Sequence, residues 1–172
     1  LGTTIHACAK AEQGEIVAGI AGIRRGMDRL RATGAELFRA PYYCVLAELC
    51  GKAGQVNDGF AALAEAQAAV EQNAERWWEA ELHRVRGELL LQNGAAVEAE
   101  ASLQRALVIA RHQEAKSLEL RAAMSLARLW QQQGKAAEAR QMLAEIYDWF
   151  TEGFDTKDLQ EAQVLLAELE VG

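Results

Sequence analysis

Gly14, Gly54, Gly94 and Gly134 recur at intervals of 40 residues, and each separates two segments of helical apolar periodicity. A fixed period in the range of about 20–50 residues constrains architecture before any local feature does, because each repeat is a unit that buries its apolar face only by stacking on its neighbours. Five residues after each of these glycines stands another small residue, Gly19, Gly59, Ala99 or Ala139, where close helix contact is expected. Ile23, Leu63, Leu103 and Leu143 follow four residues later, and Leu30, Val70, Ala110 and Phe150 two turns beyond. Offsets of three and four place these side chains on one face of a helix, which must be buried.

The segments before the glycines align as well. Phe38, Trp78 and Leu118 share one column, Leu46, Leu126 and Leu166 a second, and Leu49, Leu89, Leu129 and Leu169 a third. Ala47, Gly87, Ala127 and Ala167 lie between the last two columns, small residues where a paired helix approaches closely. Each unit therefore reads as a helical hairpin whose junction glycine adopts the left-handed conformation that ends the first helix without a Cβ penalty. The spacing predicts first helices at about 2–13, 38–53, 76–93 and 116–133, and second helices at about 15–32, 55–72, 95–112 and 135–151. The expectation is an all-α chain forming a single domain over 1–172: an α-α superhelix of four hairpins (about 1–34, 35–74, 75–114 and 115–154) closed by a capping helix at 156–170. Trp149 and Phe154 are expected to tuck beneath that last helix.

Composition agrees with helix nearly everywhere, since alanine, leucine and glutamate are abundant and Pro41 is the sole proline. A formal charge of −7 argues against general nucleic-acid binding, which draws on clustered lysine and arginine. No apolar run approaches the roughly 20 residues that span a bilayer, so a cytoplasmic protein without a membrane partner is expected. Cys8, Cys44 and Cys50 are odd in number without metal-like spacing, which predicts reduced, mostly buried thiols. His6, His83 and His112 fall on different helices with no paired ligand spacing, so no metal, cofactor or catalytic residue is expected. Neither Gly51-Lys52 nor Gly134-Lys135 has the glycine spacing and Ser or Thr of a phosphate-binding loop. The chain begins at Leu1, and the expectation is a piece of a longer polypeptide.

Gly87, Gly94, Ala99, Leu103 and Ala106, with Ala127, Gly134, Ala139 and Leu143, resemble the tetratricopeptide repeat, although a period of 40 exceeds that repeat's usual 34. The lengthening resembles the helical repeats of large ATP-dependent transcriptional activators of the maltose-operon type. The stretches Glu75–Arg84 and Trp149–Asp155 resemble the carboxy-terminal ends of bacterial multidomain proteins, in which an adenylate/guanylate cyclase domain of class III or a DNA-binding domain precedes an ATPase and tetratricopeptide repeats. The resemblance implies a regulatory interaction region for signalling and carries no catalytic residue onto this chain.

Stacked hairpins of this kind line an inner wall with their first helices. The positions that the apolar columns leave over there are Glu48, Lys52, Glu81, Arg84, Glu88, Arg121, Met124 and Arg128, and these are the candidates for partner binding. Trp77, which aligns with Leu37, Ser117 and Lys157, joins them because tryptophan is enriched at interaction hot spots. In chaperone-binding members of the family a set of Lys, Arg and Asn holds a partner's terminal carboxylate, and here Glu48 and Glu88 occupy the places of the asparagines. The polar face instead offers salt bridges to a protein, a peptide or an upstream domain of the same polypeptide. A small-molecule inducer in the groove, and a structural spacer or homodimerisation element, are the competing expectations.

Overall fold

The computed structural model describes residues 2–33, 39–73 and 76–171, and among these every regular element is helical. The helices are α1 (Gly2–Glu12), α2 (Ile16–Ala32), α3 (Arg39–Lys52), α4 (Val56–Asn73), α5 (Glu79–Gln92), α6 (Ala96–His112), α7 (Lys116–Gln132), α8 (Ala136–Tyr147) and α9 (Lys157–Val171). A 3-10 turn, Arg76–Trp78, leads into α5, so the helix expected from residue 76 begins with a tighter turn. The expected contributions of Leu37, Phe38 and Glu75 lie outside the described residues.

The junction glycines carry the chain out of one helix and into the next. Gly14, Gly54, Gly94 and Gly134 all have positive φ, between 73° and 91°. At the third junction Gly94 N–H donates to the Leu91 carbonyl (3.0 Å) and Ala95 N–H to the Leu90 carbonyl (2.9 Å), which closes the helix end and satisfies two otherwise orphaned acceptors. The turn between α6 and α7 makes the same pair of bonds, Glu114 to Arg111 and Ala115 to Ala110, with Glu114 holding a left-handed φ of 54°.

Within each hairpin the contact is close because small residues face their partners. A Cβ on Gly87 would lie 2.6 Å from Leu103 Cγ and 3.2 Å from the Ala99 carbonyl oxygen. In α2, a Cβ on Gly19 would meet that of Ala11 at 2.7 Å and one on Gly22 that of Ala7 at 2.6 Å. The aligned leucines fill the space between, with Ile23, Leu63, Leu103, Leu143, Leu89, Leu129 and Leu169 all buried. Besides its own hairpin partner, each of α1, α3, α5 and α7 packs directly on the next odd-numbered helix, α7 resting on α9. Helices α2 and α4 are instead spanned by long side chains, Arg24 to Asp58 at 2.7 Å and Arg31 to Glu65 at 2.9 Å.

The carboxy-terminal end departs from expectation. Helix α8 stops at Tyr147 rather than near 151, and Asp148 and Trp149 form a turn. Trp149 and Phe154 are not covered by α9 but remain 57 % and 47 % exposed. The inner face of α9 is already filled by Leu159, Ala162, Leu165 and Leu169. Trp149 instead lies under the Lys116 ammonium (5.5 Å) and edge-on to Phe150, while Phe154 rests on Tyr147. Leu166 is half-buried and Ala167 exposed, because no further hairpin follows to cover them among the described residues.

Candidate functional site

Residues three and four apart share a helix face. Glu48 and Lys52 on α3, Glu81, Arg84 and Glu88 on α5, and Arg121, Ser125 and Arg128 on α7 form three such stripes. Because α3, α5 and α7 pack in succession, the stripes lie side by side. They form the floor and walls of a groove of about 460 Å3, whose far side is Lys157, Asp158 and Glu161 of α9.

Arg84 is the hub of the floor. Its guanidinium donates to both carboxylate oxygens of Glu81 (2.7 and 2.9 Å), to Glu88 (2.6 Å) and to Glu48 on the neighbouring helix (2.7 Å). Arg121 reaches Glu81 at 2.9 Å and Glu48 at 3.6 Å, Lys52 pairs with Glu48 at 2.8 Å, and Ser125 Oγ donates to Glu88 at 2.7 Å. Burial opposes ionisation of Glu48, but Arg84, Lys52 and Arg121 outweigh it and hold its carboxyl at about 2. Burial likewise opposes the charge on Arg84, yet Glu81, Glu88 and Glu48 keep it firmly protonated. Five carboxylates, of Glu48, Glu81, Glu88, Asp158 and Glu161, face five cations, of Lys52, Arg84, Arg121, Arg128 and Lys157, so the groove is charged but balanced.

Several candidates differ from expectation in depth. Glu81 and Arg84 are 3 % and 5 % exposed, and Met124 at 3 % belongs to the hydrophobic core with Leu120 and Ala123. Cys44, Arg84 and Met124 stand at 40-residue spacing and all face into the stack, so this column is a buried one in which a single member is charged. Burial pushes the Cys44 thiol well above its ordinary range, which removes it from nucleophilic or redox chemistry. Lys52 and Arg128, about half exposed, form the rim, and Arg128 meets Glu161 at 3.4 Å. Ser125 was legible as the one polar member of the column Val45, Val85 and Leu165, Asp158 as the polar member of the column Phe38, Trp78 and Leu118, and Glu161 by sharing the register of Glu81 and Arg121.

Trp77 lies outside this groove. With Trp78, Gln113, Ser117 and Leu118 it lines a second, more apolar cavity of about 690 Å3, whose wall also includes Arg121 and Asp158. The two indoles meet edge to face, with centroids 5.1 Å apart, and Trp77 is 49 % exposed. His83 is half-buried, and desolvation lowers its pKa. Among the described residues no three His, Cys, Asp or Glu side chains are grouped to hold a metal, and no helix is long and apolar enough to cross a membrane.

No family model matches the chain. It is similar to an uncharacterized protein of Rhizobium meliloti (strain 1021), with 34% identity over 122 residues. The match takes in 70% of this chain but only 12% of that relative's length.

Proposed function

We propose that the chain is a tetratricopeptide-like solenoid of four hairpins and a cap, acting as a protein-interaction and regulatory module of a larger signalling protein. The groove along its first helices takes a partner protein, a peptide or a neighbouring domain of the same polypeptide. The curvature this requires is supported by the direct packing of α3, α5 and α7 while α2 and α4 are held apart across ion pairs. The relative's much greater length is in keeping with a module inside a multidomain chain.

The observation that carries the reading is the division of the groove into a fixed floor and an exchangeable rim. Arg84 and Glu81 are buried, Glu48 and Glu88 are half-buried, and all four are mutually satisfied, so they set the shape. Lys52, Arg128 and Glu161 are exposed enough to trade their present pairings for a partner's charges at little cost. Binding of the parent polypeptide's other domains, added as separate proteins, tests this. Reversing charge at Lys52 and Arg128 together is expected to weaken binding while leaving the thermal midpoint nearly unchanged. Unaltered affinity in that variant, with binding abolished by changes on the outer faces of α4 or α6, would show that the groove is not the interface.

A further inference from the structure

Buried polar atoms are almost always hydrogen-bonded, because an unmade bond leaves the full desolvation cost of the group standing. The wall of the Trp77–Trp78 cavity breaks this rule twice. Trp78 Nε1–H, a donor, and Gln113 Oε1, an acceptor, are both buried and both without a hydrogen-bond partner. Neither is loosely placed. The Gln113 amide is anchored by its other end, where Nε2 donates to the Arg76 carbonyl at 2.6 Å, so its oxygen is the end left over. The Trp78 ring packs on the small core cluster of Ala80, Ile109, Ala110 and Leu118, and edge to face on Trp77.

We infer that this cavity is a binding site for an uncharged ligand that presents a secondary-amide edge beside a flat apolar group, its carbonyl accepting from Trp78 and its N–H donating to Gln113. The indoles supply the apolar surface against which such a group stacks. Neutrality follows from the lining, whose charged members are one cation, Arg121, and one carboxylate, Asp158. Neither unpaired atom is open to solvent, so binding includes a local shift of the cavity wall that uncovers them. The cavity adjoins the proposed groove, sharing Arg121 and Asp158 with it, but its unpaired donor and acceptor belong to neither groove wall, so the inference holds or fails without the groove's function. Two sources present an acceptor and a donor side by side, the cis amide of a free lactam-like compound and the N–H and C=O of one extended aromatic residue within a peptide.

The test is a titration of the ¹⁵N-labelled chain, following the indole N–H resonances of its four tryptophans. The Trp78 resonance is identified by its loss in Trp78→Phe. The probes are 2-quinolone, its N-methyl derivative, naphthalene, and N-acetyl-phenylalanine N-methylamide. Saturable movement of the Trp78 resonance by 2-quinolone is expected, with affinity lower by on the order of tenfold for the N-methyl compound and for the unmodified lactam on Gln113→Met. Stronger binding of the blocked phenylalanine than of the lactam assigns the site to peptides, and the reverse order to free small molecules. Trp78→Phe also removes ring surface packed on Ala80, Ile109, Ala110 and Leu118, so some loss of thermal midpoint is expected from packing alone and the variant serves to assign the resonance. The inference is overturned if no probe moves the resonance, or if naphthalene or the N-methyl lactam binds as tightly as 2-quinolone.

Discussion

Replacing Arg84 by methionine removes the one cation that three carboxylates share. Glu81 is left 3 % exposed, with Arg121 at 2.9 Å as its remaining partner, while Glu48 keeps Lys52 and Glu88 keeps the Ser125 hydroxyl. Breaking a buried pair by deleting one member costs about 3–5 kcal/mol. The surviving partners place the expected loss near the lower end, about 3 kcal/mol. A domain of this kind has about 5–15 kcal/mol to lose, so the variant should fold but unfold at clearly lower urea. Arg84→Glu adds a fourth carboxylate to the cluster and should not fold at neutral pH. The double variant Arg84→Met/Glu81→Leu, which removes both members of the deepest pair, should regain most of the loss, since well-packed apolar side chains replace buried pairs at little or no cost. Equilibrium urea unfolding followed by circular dichroism at 222 nm reads all three. An Arg84→Met midpoint within error of the parent, or a double variant no better than the single one, would refute the hub.

Acid should weaken the fold through Glu48. Its carboxyl falls from the ordinary 4.5 to about 2 on folding, so the unfolded chain binds more protons between these values. The contribution, about 3 kcal/mol, is complete above pH 5 and lost as pH falls towards 2, and Glu48→Gln should flatten that part of the stability profile. Gly87→Ala should cost about 1–3 kcal/mol by overpacking against Leu103 and the fixed Ala99 carbonyl, despite alanine's better helix propensity, and an unchanged melting temperature would contradict the close approach. Glu114→Gly should gain about 0.5–1 kcal/mol, because glycine takes the left-handed turn without the Cβ clash, and calorimetry would show the reasoning wrong if the midpoint fell.

Helix positions were legible because period and face carry one signal: the 40-residue glycines mark every first-to-second junction, and the leucine columns they align are buried. The depth of the charged stripe was not, because a charged residue at a groove position and one at a core position look alike without their partners. Arg84 needed its column to be read, since Cys44 and Met124 at the same register are apolar. The short α8 followed from a local feature weaker than the periodicity, the run of Asp148, Thr151 and Gly153 that favours turns over helix. The Trp77–Trp78 cavity depends on Gln113 and Arg76, 37 residues apart, meeting across the α6–α7 turn, a contact that no periodic pattern encodes.

The glycines of α2 bear on how the molecule opens. Gly19, Gly22 and Gly26 bring α2 against α1 with little apolar area between them, and each carries a helix-propensity cost of about 1 kcal/mol relative to alanine. The third and fourth hairpins place Ala99 and Ala139 at the position of Gly19, and the later hairpins place Ala62, Ser102 and Met142 at that of Gly22 and Ala66, Ala106 and Ile146 at that of Gly26. In a linear array, where each unit draws its stability from its neighbours, the weakest terminal unit frays first and the rest can remain folded without it. Amide hydrogen exchange should therefore be fastest in α1 and α2 and slowest in α5 and α7. Whatever precedes this chain in a longer polypeptide would be joined to the end that unzips most readily, so tension or docking applied there would be felt as a change in the number of ordered hairpins before it altered the shape of those remaining.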